Sequence, residues 1–168
     1  MKFQLTLAAL IFSLSMCAQQ YLTRQGSITF DAGTPLEDIR ATSVSATAVY
    51  DKTSNKLGVQ ALMTSFEFKR ALMQEHFNES YVESERFPKT VFKGKYIDGR
   101  AVGTLTIHGV AQDVDVPAAL IEENNRLILK ADFSVRIADF GVRIPKTVAN
   151  KIEEKANITL NCVLRVKP

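Results

Sequence analysis

Leu127-Ile128-Leu129-Lys130-Ala131-Asp132-Phe133-Ser134-Val135-Arg136-Ile137 decides the fold. Its odd positions are all apolar, and its even positions, Ile128 aside, are polar or charged. That alternation is the mark of a strand with one face buried and the other in water. At about 3.3 Å per residue the run would extend roughly 35 Å, well past the usual strand length. Long one-faced strands suit the wall of a barrel.

Working outward, the same period recurs along the chain. Strands are expected at 27–30, 44–50, 57–66, 90–96, 101–108, 114–120 and 158–166, besides 127–137 itself. Pro117 interrupts the sixth of these, as an edge, a bulge or a strand end would. Many Ser, Thr and Ala residues blur the inside face of 44–50. Asp98-Gly99 is a strong hairpin signal, and 51–55, 109–111 and 122–125 read as turns. Between 68 and 81 the period changes: Phe68, Leu72, Met73, Phe77 and Tyr81 mark one side of an amphipathic helix, closed off by Phe87-Pro88. Residues 140–157 read as irregular and then helical, with Pro145 suited to a first turn and Val148 and Ile152 four apart.

Eight strands with mostly short connections predict an all-β fold, an antiparallel eight-stranded barrel, closed so that no edge is left exposed. If the strands alternate in direction, the connections after the third and seventh leave from the same end. Both long segments, 68–88 and 140–157, would then cap one mouth.

Composition narrows the classes. A chain of 168 residues, 46% hydrophobic and 23% charged, is one domain able to bury its own core. Residues 1–18 read as a secretory leader: Lys2, an apolar run from Leu5 to Leu14, then Ser15-Met16-Cys17-Ala18. Cleavage after Ala18 is the favoured expectation and places the protein in the periplasm or outside the cell; Leu14-Ser15-Met16-Cys17 weakly resembles a lipoprotein box that would leave Cys17 lipidated. The apolar run is too short to span a bilayer of roughly 30 Å, and no later stretch attempts it. Once the leader is removed Cys162 stands alone, in phase with Leu160 and Leu164, and reads as a small buried hydrophobe. The formal charge of +3 is scattered, with no basic stripe for nucleic acid.

Few residues offer chemistry. His76 and Glu79 share a helix face but lack the further ligands a metal site needs. His108, at a hairpin end, suits a backbone hydrogen bond. Asp139-Phe140-Gly141 spells the kinase magnesium triplet without the Gly-rich or catalytic loops that give it meaning. Asn78-Glu79-Ser80 and Asn157-Ile158-Thr159 fit the glycosylation pattern, which matters only in a eukaryotic secretory pathway. No catalytic residues, metal ligands or cofactor site are assigned, and the protein is expected not to be an enzyme. What remains is apolar: Leu72, Met73, Phe77, Phe87, Phe92, Leu105, Ile107, Leu127, Leu129, Phe133, Val135, Leu160, Cys162 and Leu164 either fill a core or line a cavity.

Four pieces of the sequence, in order, resemble the YceI family, secreted bacterial proteins with a lipocalin-like barrel that binds polyisoprenoid lipids. They are the run from Leu72 through His76 and Phe77 to Phe87-Pro88 and Phe92; Gly103-Thr104-Leu105-Thr106-Ile107-His108-Gly109-Val110; Arg136 with Asp139-Phe140-Gly141; and the last amphipathic strand. The likeness spans residues 25 to 166, although the early strands lack the Trp that many members carry. It implies a lipocalin-like barrel and makes nine of those apolar residues, Leu72, Met73, Phe77, Phe92, Leu105, Ile107, Leu129, Phe133 and Leu160, the expected lining for an apolar lipid, an isoprenoid chain or quinone-like tail, held by a periplasmic carrier. The other reading open is a packed barrel that serves as a protein-interaction or stress-protective module.

Overall fold

The computed structural model describes residues 19–167; the leader expected over 1–18, and with it the fate of Cys17, lies outside the described residues. The strands are β1 (Gln20–Gly33), β2 (Arg40–Asp51), β3 (Lys56–Leu62), β4 (Glu67–Phe68), β5 (Lys89–Ile97), β6 (Arg100–Ile107), β7 (Val110–Glu123), β8 (Arg126–Arg136) and β9 (Ile152–Val166), with one α-helix, α1 (Ala71–His76). Neighbouring strands follow the order β1-β9-β8-β7-β6-β5-β3-β2, and pairing of β1 with β2 closes the ring. β4 adds two residues to the end of β2. The wall therefore has eight antiparallel staves, as the alternation predicts.

The stretch Leu127 to Arg136 is β8, paired along its whole length with β9, from Arg126 opposite Arg165 to Arg136 opposite Lys155. Leu127, Leu129 and Ala131 are buried inside, and Ile128 faces outward. At one end of the barrel lie the hairpin turns at Asp98-Gly99 and Asn124-Asn125, both with left-handed backbone, and the turn 52–55. The two long connections, 63–88 and 137–151, leave from the opposite end and form the mouth.

Several boundaries differ from the sequence reading, each for a local reason. The first strand runs over 14 residues because a bulge around Gly26 changes its phase: Tyr21 points in, and so do Ile28 and Ala32. β2 shifts phase beside it, burying Ala41 and Ser43, then Ala46, Ala48 and Tyr50. Only small residues fit there, since a Cβ on Gly26 would lie 2.4 Å from the Cys162 sulfur. β3 ends at Leu62, where a short turn over Met63–Ser65 takes the chain to the mouth.

The helix expected over 68–81 is shorter. Arg70 is extended, α1 spans Ala71–His76, and the chain then widens into a π-type turn over Phe77–Tyr81. Gln74 accounts for the start: its side chain accepts from the Phe68 amide and donates to the Phe66 carbonyl, holding that segment extended. Residues 140–157 contain no α-helix; two short turns, Ile137–Phe140 and Lys146–Val148, precede β9, which already includes Ile152. Pro145 does cap the second turn. Pro117 does not interrupt β7, which runs through it for 14 residues.

The end away from the mouth is solidly packed. Tyr21, Tyr50, Leu127, Cys162 and Leu164 fill it, with Tyr96 edge-on to Tyr50 at 6.4 Å. The Tyr50 hydroxyl donates to Asn55 Oδ1 at 2.8 Å, and burial raises its pKa. Burial likewise pushes the Cys162 thiol up to about 11.

Two outcomes test this packing. Leu164→Ala, at a side chain with no exposed surface, should cost about 2–5 kcal/mol in urea denaturation, whereas Val163→Ala, 42% exposed on the outer face, should stay within about 0.5 kcal/mol. In a chain lacking residues 1–18, a thiol reagent at pH 8 should find nothing to modify until denaturant is added, and then one group per chain. Rapid labelling of the folded protein would contradict the placement of Cys162.

Candidate functional site

Above the packed end the barrel is hollow. Leu57, Ala101 and Leu129 form the floor of a cavity of about 420 Å3 that reaches up to the mouth. The period-2 pattern of each stave supplies the wall. Phe92 projects from β5, Leu105 and Ile107 from β6, Leu129 and Phe133 from β8, and Leu160 from β9. Leu72 and Met73 come from α1, and Phe77 from the turn after it. All nine residues expected as lining thus stand on one cavity wall, joined by Val135, whereas Leu127, Cys162 and Leu164 belong to the packed end and Phe87 packs against His108.

The mouth segment is fixed by aromatic packing. Phe77 stacks on Phe30 of β1 at 5.3 Å, and its ring lies 5.0 Å from Phe68 and 6.2 Å from Phe66. Phe30, Phe66 and Phe68 were not among the expected lining residues. Phe30 lies beyond the Gly26 bulge, while Phe66 and Phe68 fall where strand period gives way to helix, so their phases could not be read. Leu72 stands at the lip, 63% exposed.

Charge on this wall is confined to the rim. Glu37 and Arg70 form an ion pair there, joined by Lys151 and by His76. Beside them Asp31 accepts from Arg40 and from the Gly33 amide. Burial opposes the Asp31 carboxylate, but these donors outweigh it and hold its pKa below the usual value. Among the described residues, no three His, Cys, Asp or Glu side chains converge as a metal site.

His108 has a different task. It occupies the β6–β7 hairpin with φ of 51°, followed by Gly109 at 72°, a pair of left-handed residues that turns the chain in two steps. Its ring meets Glu83 Oε2 at 2.8 Å and the Phe140 carbonyl at 3.3 Å, and it packs edge-on against Phe87. One side chain therefore ties both long connections to the barrel wall, and the backbone contact expected for it is the one to Phe140. Asp139-Phe140-Gly141 belongs to this knot: Gly141, at φ 72°, ends the turn that presents the Phe140 carbonyl.

A family model for the YceI-like domain matches residues 22–164, nearly the whole of the described chain. The chain belongs to the YceI-like family. Solved structures agree on the fold. A polyisoprenoid binding domain from Saccharophagus degradans implicated in plant cell wall breakdown superposes with a TM-score of 0.75 at 9% identity, covering 89% of this chain and 99% of that one. Burkholderia cenocepacia BcnA gives 0.71 at 13% identity, with 84% and 96% covered. The Campylobacter jejuni YceI protein gives 0.58 at 20% identity, with 74% and 81% covered. No curated protein matches closely enough to count as a relative. At such identities the YceI-like barrel is retained while most of its side chains differ.

The knot at His108 can be tested directly. His108→Ala should destabilise the protein by about 1–3 kcal/mol, because the ring that contacts both Glu83 and the Phe140 carbonyl is lost. Hydrogen exchange should quicken at residues 83–87 and 138–141 together, while β8 and β9 keep their protection. Unchanged exchange in both connections would show that the ring holds neither.

Proposed function

We propose that the protein is an exported, non-enzymatic carrier or sequestering protein that holds a long apolar ligand, an isoprenoid chain or quinone-like tail, inside its barrel. The observation that carries this reading is the cavity: about 420 Å3, apolar down its depth, charged only at the rim. Its size lies in the range of roughly 300–1,000 Å3 typical of small-molecule sites. The mechanism is burial. Each methylene taken out of water contributes about 0.8 kcal/mol before ordering costs. A charged head group would be penalised inside, so it stays near Arg70, Glu37 and Lys151. The name of the Saccharophagus degradans domain, polyisoprenoid binding, supports the ligand class. Export to the periplasm rests on the leader sequence.

The exposed leucines at the mouth, Leu36 at 71% and Leu72 at 63%, favour a second reading in which the lip docks a protein partner. Mass spectrometry of a lipid extract from natively purified protein, with uptake of the fluorescent probe 1-anilinonaphthalene-8-sulfonate, tests the first. Co-purified isoprenoid or quinone and saturable uptake are expected. A ligand-free protein that takes up no probe would sink the carrier reading. Leu72→Ala separates the two, because loss of a partner with lipid content intact points to docking.

A further inference from the structure

The barrel wall is not closed over its whole height. β7 pairs with β6 from Ile107 opposite Val110 to Arg100 opposite Pro117, but with β8 only from Ala118 opposite Ala131 to Glu123 opposite Arg126. Residues 110–117 of β7 and 132–136 of β8 therefore lie on either side of a seam without a ladder, although β8 remains paired with β9 throughout.

Sequence chemistry places the seam. The Ala118 amide donates to Gly99 O at 2.9 Å, toward the β6 side. Backbone groups alternate along a strand, so position 117 aims toward β8, and proline has no hydrogen to donate there. Asp115 has the same parity, and its carbonyl is taken instead by the Arg100 guanidinium at 2.7 Å, whose Nε also reaches Asp115 Oδ1 at 2.5 Å. The freed edge is capped by a side chain, which marks the parting as built into the fold.

Across the seam stands the turn Ile137–Phe140, packed on β7, β8 and β9. Side chains tether it to the β6–β7 hairpin: Gln112 donates to Asp139 O at 2.8 Å, and His108 to Phe140 O at 3.3 Å. The Phe140 side chain is 3% exposed and forms part of the cavity wall. Val114 and Val116 border the seam on one side, and Phe133 and Val135 on the other, all on the cavity wall. A route from the cavity through the seam thus starts between apolar side chains and emerges past Asp115, Asp132 and Ser134 on the outer face, while the far end of the barrel is blocked by Tyr21, Leu127 and Leu164.

We infer that the seam between β7 and β8 is a lateral exit of the cavity, stoppered by Phe140, through which an apolar chain longer than the cavity continues to the surface. This rests on the carrier reading above and adds to it a second opening besides the mouth.

The test uses the variant P117C/D132C, which places cysteines at the first open rung, on the outer face and away from the cavity wall. Its partners are two isoprenols presented in phosphatidylcholine vesicles, geraniol as the short chain and solanesol as the long one. Oxidised, the variant should keep geraniol and lose about tenfold or more in affinity for solanesol, recovered with dithiothreitol. Equal solanesol affinity in both redox states would overturn the exit. A second measurement needs no bridge: S134C labelled with acrylodan should change its emission when solanesol binds and not when geraniol does. Solanesol bound without a change at that label would also overturn it. Wild-type protein that binds neither alcohol defeats the carrier reading itself, a distinct result.

Discussion

The close approach of β1, β2 and β9 at Gly26 is the constraint on which the rest depends. A sheet closes into a ring only if its first and last staves can meet, and here they meet where Gly26 faces Ala46 and the Cys162 sulfur, too near for any Cβ. The bulge there bends β1, and the matching phase shift in β2 keeps small residues inward on both sides of it. Near this point the interior is narrow enough for Tyr21, Tyr50 and Leu164 to fill. Farther up, Phe30 of β1, Val59 of β3 and Leu160 of β9 line a space without filling it. The question whether the apolar residues form a core or a cavity therefore has a divided answer: one end is packed and the other is hollow.

A hollow end needs a mouth that is held open but covered. The two long connections do this without a ladder between them. Phe77 pins the first through its stack on Phe30, and His108 pins both through Glu83 and the Phe140 carbonyl. These are few contacts compared with the continuous ladders of the wall, so the mouth is where the structure opens most readily. Charge follows the same division. Glu37, Arg70 and Lys151 stand at the rim, where water can still solvate them, and leave the depth apolar.

Much of this is legible in the sequence, for a physical reason. Inward and outward residues alternate wherever a stave has one wet face, so β5, β6, β8 and β9 declare their inner residues, and Phe92, Leu105, Ile107, Leu129, Phe133 and Leu160 follow. Counting directions then brings both long connections to one mouth. The reading fails where an extra residue resets the count, as at Gly26 in β1 and between Ser43 and Ala46 in β2. It also fails for the helix, because the Gln74 side chain bonds the backbone of Phe66 and Phe68 as an extended segment, a contact that periodicity does not carry. Val114 and Val116 share the parity of Ala118 and Leu120, so their inward facing could have been read; Pro117 obscured it.

Pro117 also shows what alternation leaves out. Side-chain parity records which face of a strand is inside, and along β7 it never changes from Val114 to Leu120. It says nothing about which neighbour receives the backbone hydrogen bonds. β7 gives its first half to β6 alone and its second half to β6's hairpin end and β8, with proline at the changeover. The break signalled by that residue lies in the ladder, and the strand itself runs on. Solved relatives of 9–20% identity keep the same barrel, so the fold tolerates wholesale exchange of side chains as long as parity and closure survive. In this chain the ladder between β7 and β8 stops at Ala118 opposite Ala131, and the turn Ile137–Phe140 stands beside the gap, held there by side chains and not by a strand.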